Sequence, residues 1–307
     1  MGGTGRGWYK PSRGIGAIER AATGAADVAE FDAQANALLQ GQLVNYNDRD
    51  AEGIQRHIDT LQRAIEADIE GELSMLFGGS VRKHTFVDGL SDVDVLAVLN
   101  NSSLANATPR EALAYFGDRI RQRLPDATVE SGLLAITVRY ADGTEIQVLP
   151  ALRTTTGIRV SAQDGLSWSN VVRPQEFAQK LTQVNQSCGG KVVPVIKLFK
   201  GMQSDLPEAS QLNGYHIESL AIEAFKAYTG RQTYKDMLRH FLDAASQRVR
   251  APINDSTGQS LHVDDYLGAA SSDVRDRVSN AIARLARSAE AAESRGSIDA
   301  LRDLFPD

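Results

Sequence analysis

The stretch FGGSVRKHTFVDGLSDVDVLAVLN, residues 77–100, decides the fold of the N-terminal half of the chain. It opens with a glycine-glycine-serine turn at 78–80 and then delivers Asp92 and Asp94 into the apolar run 95–99. Residues two apart on a strand share a face, so both carboxylates point to one side while the neighbouring valines point into a core. The stretch therefore predicts a buried strand with an acidic pair at its start.

The acidic pair predicts a metal site. Two like charges at close range are costly unless a cation lies between them. Mg²⁺ is a hard, oxygen-seeking ion that proteins usually hold with one or two carboxylates and substrate phosphates. In the preceding turn, Gly79 lets backbone amides approach a phosphate closely, and the hydroxyl of Ser80 adds a donor. We predict that Asp92 and Asp94 hold the metal and that Gly79 and Ser80 contact the phosphate.

The composition is that of a soluble globular protein with room for two domains. The 307 residues are 42% hydrophobic and 23% charged, with a formal net charge of −6. The acidic balance argues against nonspecific binding of polyanions as the main role. A single cysteine, Cys188, excludes an intramolecular disulfide and a cysteine-rich zinc site, and it fits a reducing compartment. Because the sequence shows neither a membrane-spanning apolar run nor a signal segment, we expect a cytoplasmic protein.

Helices are predicted to lead into the acidic strand. Residues 1–14 are glycine-rich and predict a flexible arm, and 15–42 are alanine-rich and predict a helix. Apolar residues then recur every three or four positions over 54–76, which predicts one long amphipathic helix running directly into the glycine-serine turn. Asn47 or Asp48 would cap the start of this helix.

The remaining pattern changes from mixed to helical along the chain. Thr108 and Pro109 predict a helix start, as cap and first residue, and this helix extends to about residue 124. We place a domain boundary at about 165–175 and expect the active cleft between the two halves. Strands are predicted over 81–87, 92–99, 128–140, 144–149 and 158–161, and further helices over 174–186, 193–203, 215–228, 233–248, 273–292 and 297–304.

One predicted helix carries a pair of lysines. In the run KVVPVIKLFK, 191–200, Lys197 and Lys200 are three positions apart and share one helical face. On a helix that borders the cleft, the two ammonium groups would neutralise a triphosphate. The alternative is an ordinary solvated face, which most lysine pairs form.

Three sequence elements together resemble a known family. The glycine-serine turn followed by Asp-Val-Asp is similar to the motif of the DNA polymerase β-like nucleotidyltransferases, and EIQVLPA at 145–151 and GYHIES at 214–219 resemble its bacterial cGAS/DncV-like branch, the CD-NTases. The resemblance implies an α+β fold. A polymerase β-like core at 15–170, with a mixed sheet and a long spine helix, would pack on a helical lobe at 171–307 that resembles the lobe of oligoadenylate synthetases.

The resemblance also assigns roles to residues outside the acidic strand. A third carboxylate is implied three residues before the proline of the EIQVLPA element, but Gln147 stands at that position. Three explanations follow: Glu145 replaces the missing acid, Gln147 binds the metal passively, or the enzyme is impaired. Tyr215 matches a tyrosine that stacks on a nucleobase, although a core aromatic is the alternative, and Gly214 stands where the family has a phosphate-binding serine.

The activity implied by the resemblance is the joining of NTPs, ATP among them, into a cyclic di- or trinucleotide of anti-phage defence. The implied cofactor is Mg²⁺, or Mn²⁺ in its place, and the implied activator is a partner such as a HORMA-type protein. Zinc-ribbon cysteines are absent from the sequence, so DNA sensing in the manner of animal cGAS is not expected. Two other functions stay open: a degenerate transferase that binds nucleotides or a partner, and a transferase that modifies a protein or tRNA.

Overall fold

The computed structural model describes residues 15–47, 51–67, 72–77, 93–100, 104, 106–162, 164–254 and 262–306. In these ranges strands and helices mix up to residue 160, and helices follow. The strands are β1 Glu72–Phe77, β2 Val93–Asn100, β3 Thr128–Ser131, β4 Ile136–Arg139, β5 Glu145–Arg153 and β6 Ile158–Val160. The helices are α1 Ile15–Asn45, α2 Ala51–Glu66, α3 Pro109–Arg123, α4 Pro174–Ser187, α5 Val192–Ser204, α6 Gly214–Phe225, α7 Tyr234–Arg248, α8 Asp273–Ser294 and α9 Ile298–Arg302. Among them, no helix has the length and apolar character that crossing a membrane requires.

The strands form one mixed sheet with the order β1-β2-β5-β4-β3, and β6 pairs with β5. The pair β2–β5 is parallel, and the other described pairs are antiparallel. The parallel pair needs a crossover connection, and the chain between its two strands forms α3, β3 and β4. This helix begins with a complete capping box, in which the Thr108 hydroxyl accepts from the Glu111 amide and the Glu111 carboxylate accepts from the Thr108 amide.

The two faces of the sheet have different roles. On one face the alternate residues Val93, Val95, Ile146 and Val148 are buried, and they pack against apolar residues of α2 and α3. The other face carries a smaller apolar cluster that includes Leu96, together with the polar residues of the predicted site. The core therefore fixes which side chains of β2 and β5 reach the second face.

The C-terminal helices share a separate core that also includes part of α1. Buried residues of α1 recur every four positions, as expected for one helical stripe: Phe31, Ala35, Leu39 and Leu43. A largely buried lysine also links α1 to these helices. Nζ of Lys235 on α7 lies 2.5 Å from Oδ1 of Asp32 on α1 and 2.5 Å from Oε1 of Glu293 on α8. The division at 165–175 proposed from the sequence stays a prediction.

Most predicted elements agree with the structure, and two are wrong in extent. The amphipathic helix predicted over 54–76 ends at residue 66, because 72–77 form β1 and pair antiparallel with β2. The strand predicted over 128–140 is two strands, β3 and β4, joined by a turn. The arm predicted at 1–14 and the strand predicted at 81–87 lie outside the described residues.

The end of α1 is fitted closely to α5. Tyr46 is buried, and a β-carbon added at Gly201 would lie 2.6 Å from Cζ of its ring. Burial, with a smaller effect of Asp205, raises the pKa of the Tyr46 hydroxyl to about 12. Gly201 therefore supplies the space in which Tyr46 crosses the helix.

We expect Gly201→Ala to lower the free energy of unfolding by about 1–3 kcal/mol, because the added methyl group overpacks this contact. Urea unfolding followed by circular dichroism measures the change. The matched control is Gly41→Ala in α1, where an added β-carbon meets nothing within 4 Å. This control should be neutral or stabilising by up to about 1 kcal/mol, since alanine favours a helix. A Gly201→Ala variant as stable as the wild type would contradict the close fit.

Candidate active site

Asp94 and Gln147 are neighbours on the second face of the sheet. The parallel register of β2 and β5 pairs Asp94 directly with Gln147, and both side chains are partly exposed. On the other side of β5, Gln147 pairs with Thr137 of β4, which pairs in turn with Glu130 of β3. Paired residues share a face, so these four polar side chains form a row across the sheet. Gln147, at the position where the resemblance implies a third carboxylate, thus lies beside Asp94.

Several residues assigned to the site from the sequence cannot be placed. Asp92, Gly79 and Ser80 lie outside the described residues, and their roles stay predictions. Within the described ranges, no group of three or more histidine, cysteine, aspartate or glutamate residues could hold a metal ion. Asp94 and Gln147 nevertheless offer oxygen ligands, from a carboxylate and an amide carbonyl, which is the donor chemistry that Mg²⁺ prefers.

Glu145 is held by an arginine. Nε of Arg139 donates to Oε2 of Glu145 at 2.6 Å, and another guanidinium nitrogen lies 2.8 Å from Oε1 of Glu130. The hydrogen bonds that Arg139 donates to Glu130 and Glu145 raise the pKa of Arg139 above its usual range. Gln147 lies two residues further along the strand, about 6.6 Å away. Glu145 would have to leave Arg139 before it could contribute to a metal beside Asp94.

Lys197 and Lys200 are buried on α5 and do not form a solvated face. Nζ of Lys197 donates to Oδ1 of Asn47, just after the end of α1. Nζ of Lys200 lies 4.0 Å from Oε1 of Glu218 and 3.5 Å from the position of a β-carbon at Gly214. Burial of two ammonium groups is costly without anionic or polar partners, so this face of α5 differs from an ordinary solvated lysine face. Their contact with a triphosphate stays a prediction.

Tyr215 lies at the start of α6 and is half-buried. Its ring packs on Phe177 of α4, with 4.6 Å between the ring centroids. The ring is therefore joined to the edge of the helical core, as the alternative interpretation expected, and part of it is exposed. The contact with Phe177 fixes the ring in place, and its stacking on a nucleobase stays a prediction.

The residue that follows, His216, belongs to a buried polar cluster that the sequence pattern did not predict. Its side chain is fully buried, and Nδ1 lies 2.9 Å from the hydroxyl of Tyr266. Nε2 lies 3.7 Å from Oδ2 of Asp264, which accepts from Arg275 at 2.6 Å. Burial acts to raise the pKa of Asp264, but the hydrogen bonds of Arg275 and the Ile253 amide outweigh it and lower that pKa.

His216 is neutral in this environment. Burial lowers its pKa to about 4, and Arg275 acts in the same direction, while Asp264 opposes the shift. The cluster therefore joins the start of α6 to the segment around Tyr266 through a neutral imidazole. The sequence contains no local pattern that predicts this cluster, because His216, Asp264 and Arg275 are far apart in the chain and meet only through tertiary packing.

We expect the low pKa of His216 to make folding stability dependent on pH. Since the folded pKa is below the unfolded value of 6.5, the unfolded chain binds a proton that the folded chain does not. The free energy of unfolding should fall as the pH decreases from 6.5 to about 4, by up to about 3 kcal/mol, and this contribution should then level off. Urea unfolding at several pH values measures it.

The matched variants separate His216 from the other titrating groups. His216→Gln should remove this part of the pH dependence, whereas His262→Gln, at a partly exposed histidine 3.1 Å from Asp265, should keep it. Equal slopes in the wild type and the His216→Gln variant would show that the buried imidazole does not titrate as described.

The fold is that of the bacterial cGAS/DncV-like nucleotidyltransferases, and the predicted α+β class is confirmed. CdnC of E. coli MS115-1, solved with ATP, matches with a TM-score of 0.63 and 17% identity over 86% of this chain and 94% of that chain. A complex of CdnC with HORMA-deltaN matches with a TM-score of 0.62 and 18% identity, with the same coverage.

Two further solved structures give the same result. CdnG of Bradyrhizobium diazoefficiens, solved with GTP, has a TM-score of 0.61 and 15% identity over 91% of this chain and 94% of that chain. The Vibrio cholerae cyclic AMP-GMP synthase DncV has a TM-score of 0.61 and 13% identity over 91% of this chain and 85% of that chain. No family model and no curated protein sequence matches the chain. The likeness is therefore one of fold.

Proposed function

We propose that this protein is a nucleotidyltransferase that joins NTPs into a cyclic di- or trinucleotide. The observation that carries the proposal is the direct pairing of Asp94 with Gln147 on neighbouring parallel strands. It lies within a fold whose solved examples were obtained with ATP or GTP and include a cyclic AMP-GMP synthase. ATP is proposed as one substrate, anti-phage signalling as the role, and a HORMA-type protein as partner, since CdnC was solved in a complex with HORMA-deltaN.

The proposed reaction has a simple balance. A ribose hydroxyl oxygen of one nucleotide bonds to the α-phosphorus of another, and the bond from that phosphorus to the bridging oxygen breaks, which releases pyrophosphate. Mg²⁺, held by Asp92 and Asp94 with the amide oxygen of Gln147, would neutralise the charge of the phosphates. Gln147 cannot accept the hydroxyl proton, so water or a substrate phosphate takes it. Phosphoryl transfer depends mainly on positioning and charge neutralisation, which tolerates this lack of a base.

We expect the double variant Asp92→Asn, Asp94→Asn to form no product from labelled NTPs with Mg²⁺, because the metal loses both carboxylates. Thin-layer chromatography and mass spectrometry measure the product, and circular dichroism confirms that the fold is unchanged. Asp126→Asn, at an exposed acid after α3, is the matched control and should retain wild-type turnover. Turnover by the double variant at the wild-type rate would contradict the assignment of the metal ligands.

We expect Gln147→Asp to raise kcat by about tenfold or more, because it supplies a base beside Asp94. The gain should disappear at low pH, as the new carboxylate takes up a proton. Initial rates measured across a pH range test both points. A decrease in kcat in a folded variant would show that Gln147 has a role which a carboxylate cannot perform.

Glu145→Gln separates the explanations for the missing acid. Since Arg139 already holds the Glu145 carboxylate, this variant should change kcat by less than about threefold, the scale of an exposed ion pair. Complete loss of turnover with an intact fold would instead identify Glu145 as the third acid.

A degenerate transferase that only binds nucleotides or a partner is the second candidate. Two observations favour it: Gln147 carries an amide in place of an acid, and Arg139 holds the carboxylate of Glu145. Labelled NTPs distinguish the candidates, because a binding module leaves the label in NTP. Label on a protein or tRNA would indicate the third function, a transferase with a macromolecular acceptor.

A further inference from the structure

The end of α1 lies where the chain passes from one hydrophobic core to the other. Leu43 and Tyr46 of this end belong to the core of the C-terminal helices, whereas Ile58 of α2 belongs to the core beneath the sheet. Asn47 follows α1 in a turn and is the last residue described before α2, which begins at residue 51. Its contacts are therefore made at the connection between the two cores.

The side-chain amide of Asn47 has a fixed orientation. Its nitrogen, Nδ2, donates to the carbonyl oxygen of Leu43 at 2.5 Å, one of the groups that the end of a helix leaves without a helical partner. Its oxygen, Oδ1, accepts a hydrogen bond from Nζ of Lys197 on α5. Exchanging the two amide atoms would lose both hydrogen bonds, because an ammonium group can only donate and a carbonyl oxygen can only accept. The amide oxygen is therefore directed at the lysine.

The neighbouring residue holds the same turn against α5. The buried ring of Tyr46 crosses α5 at Gly201, four positions after Lys197 and on the same helical face. Tyr46 and Asn47 thus contact consecutive turns of α5. The end of α1 also carries the negative end of the helix dipole, which favours a nearby ammonium group. The position of Asn47 is consequently set by packing that does not depend on the lysine.

The contact holds the ammonium group without neutralising it. Lys197 is only 8% exposed, and the amide oxygen of Asn47 has no net charge, so this hydrogen bond does not cancel the positive charge. A lysine side chain normally loses rotamer freedom when it binds a ligand. Asn47 imposes part of that loss already in the free protein, and such preorganisation strengthens binding.

We propose that Asn47 is a positioning residue, whose amide oxygen places the Lys197 ammonium group for contact with a triphosphate. The proposal rests on the proposed function, which supplies the triphosphate. Asn47 acts through Lys197 and does not itself contact the nucleotide. Its loss should therefore weaken phosphate binding and leave the chemical step largely unchanged.

Calorimetry with inorganic tripolyphosphate tests the effect on binding. Asn47→Ala should weaken binding by about three- to tenfold, because the lysine must then be ordered when the anion binds. The matched control is Asn45→Ala, at an exposed asparagine in the last position of α1, and it should bind as the wild type does. Equal binding by the wild type and Asn47→Ala, or no binding by the wild type, would overturn the proposal.

Asn47→Asp separates positioning from a purely structural role. Its carboxylate still accepts from the ammonium group, so urea unfolding should show a more stable protein than Asn47→Ala. It also cancels the charge of the lysine, so tripolyphosphate should bind at least as weakly as to Asn47→Ala. A residue with a structural role alone would give the opposite order, with the more stable variant binding better.

A double-mutant cycle shows whether Asn47 acts through Lys197. In a Lys197→Met background, Asn47→Ala should change tripolyphosphate binding by less than about twofold, because the group that it positions is gone. A further loss as large as in the wild-type background would contradict the proposal.

Turnover of NTPs distinguishes failure of this proposal from failure of the proposed function. Asn47→Ala should raise the KM for the NTP by about three- to tenfold and change kcat by less than about twofold. An unchanged KM overturns the role of Asn47 and leaves the proposed function intact. Absence of turnover in every chain refutes the proposed function, and the tripolyphosphate measurements then decide the role of Asn47 by themselves.

Discussion

The register between the two parallel strands is the constraint on which the candidate site depends. Val93 and Val95 of β2 and Ile146 and Val148 of β5 are buried on one face, and their burial forces Asp94 and Gln147 together on the other. A slip of one residue would expose every apolar side chain of the slipped strand and place Val148 or Ile146 beside Asp94. Each buried side chain contributes about 1.5–3 kcal/mol, so the core holds the register far more strongly than the polar contacts of the site.

Elements whose structure depends on local sequence patterns were predicted correctly. Predictions failed where pairing between distant segments determines the structure. The capping box of Thr108 and the stripes of the C-terminal helices are local, and their elements were predicted almost to the residue. Leu73 and Leu76 satisfy the period of a helix, yet this segment is a strand because it pairs with β2. The motif indicated Asp94 and Gln147 as site residues, but the hold of Arg139 on Glu145 depends on a cross-strand pair that the sequence does not reveal.

A buried charged cluster joins the start of α6 to the segment around Tyr266. Arg275 and Asp264 have no exposed surface, and removing such charges from water is costly unless every group is satisfied. Arg275 also donates to the carbonyl groups of Val249, Gly268 and Ala269, which offsets this cost. The cluster ends at His216, next to Tyr215. We therefore interpret the buried ion pair as a device that fixes the start of α6, where stability alone would favour apolar residues.

The candidate site carries less negative charge than a site with three carboxylates would, because Gln147 stands at the third position. In the polar row from Asp94 to Glu130, the two middle residues are neutral, and the carboxylate of Glu145 beside the row is balanced by Arg139. A divalent cation bound at the proposed site would therefore meet fewer negative charges from the protein, and the free protein would bind it more weakly. Substrate phosphates must supply the remaining charge. In the proposed enzyme the metal consequently enters together with its nucleotide.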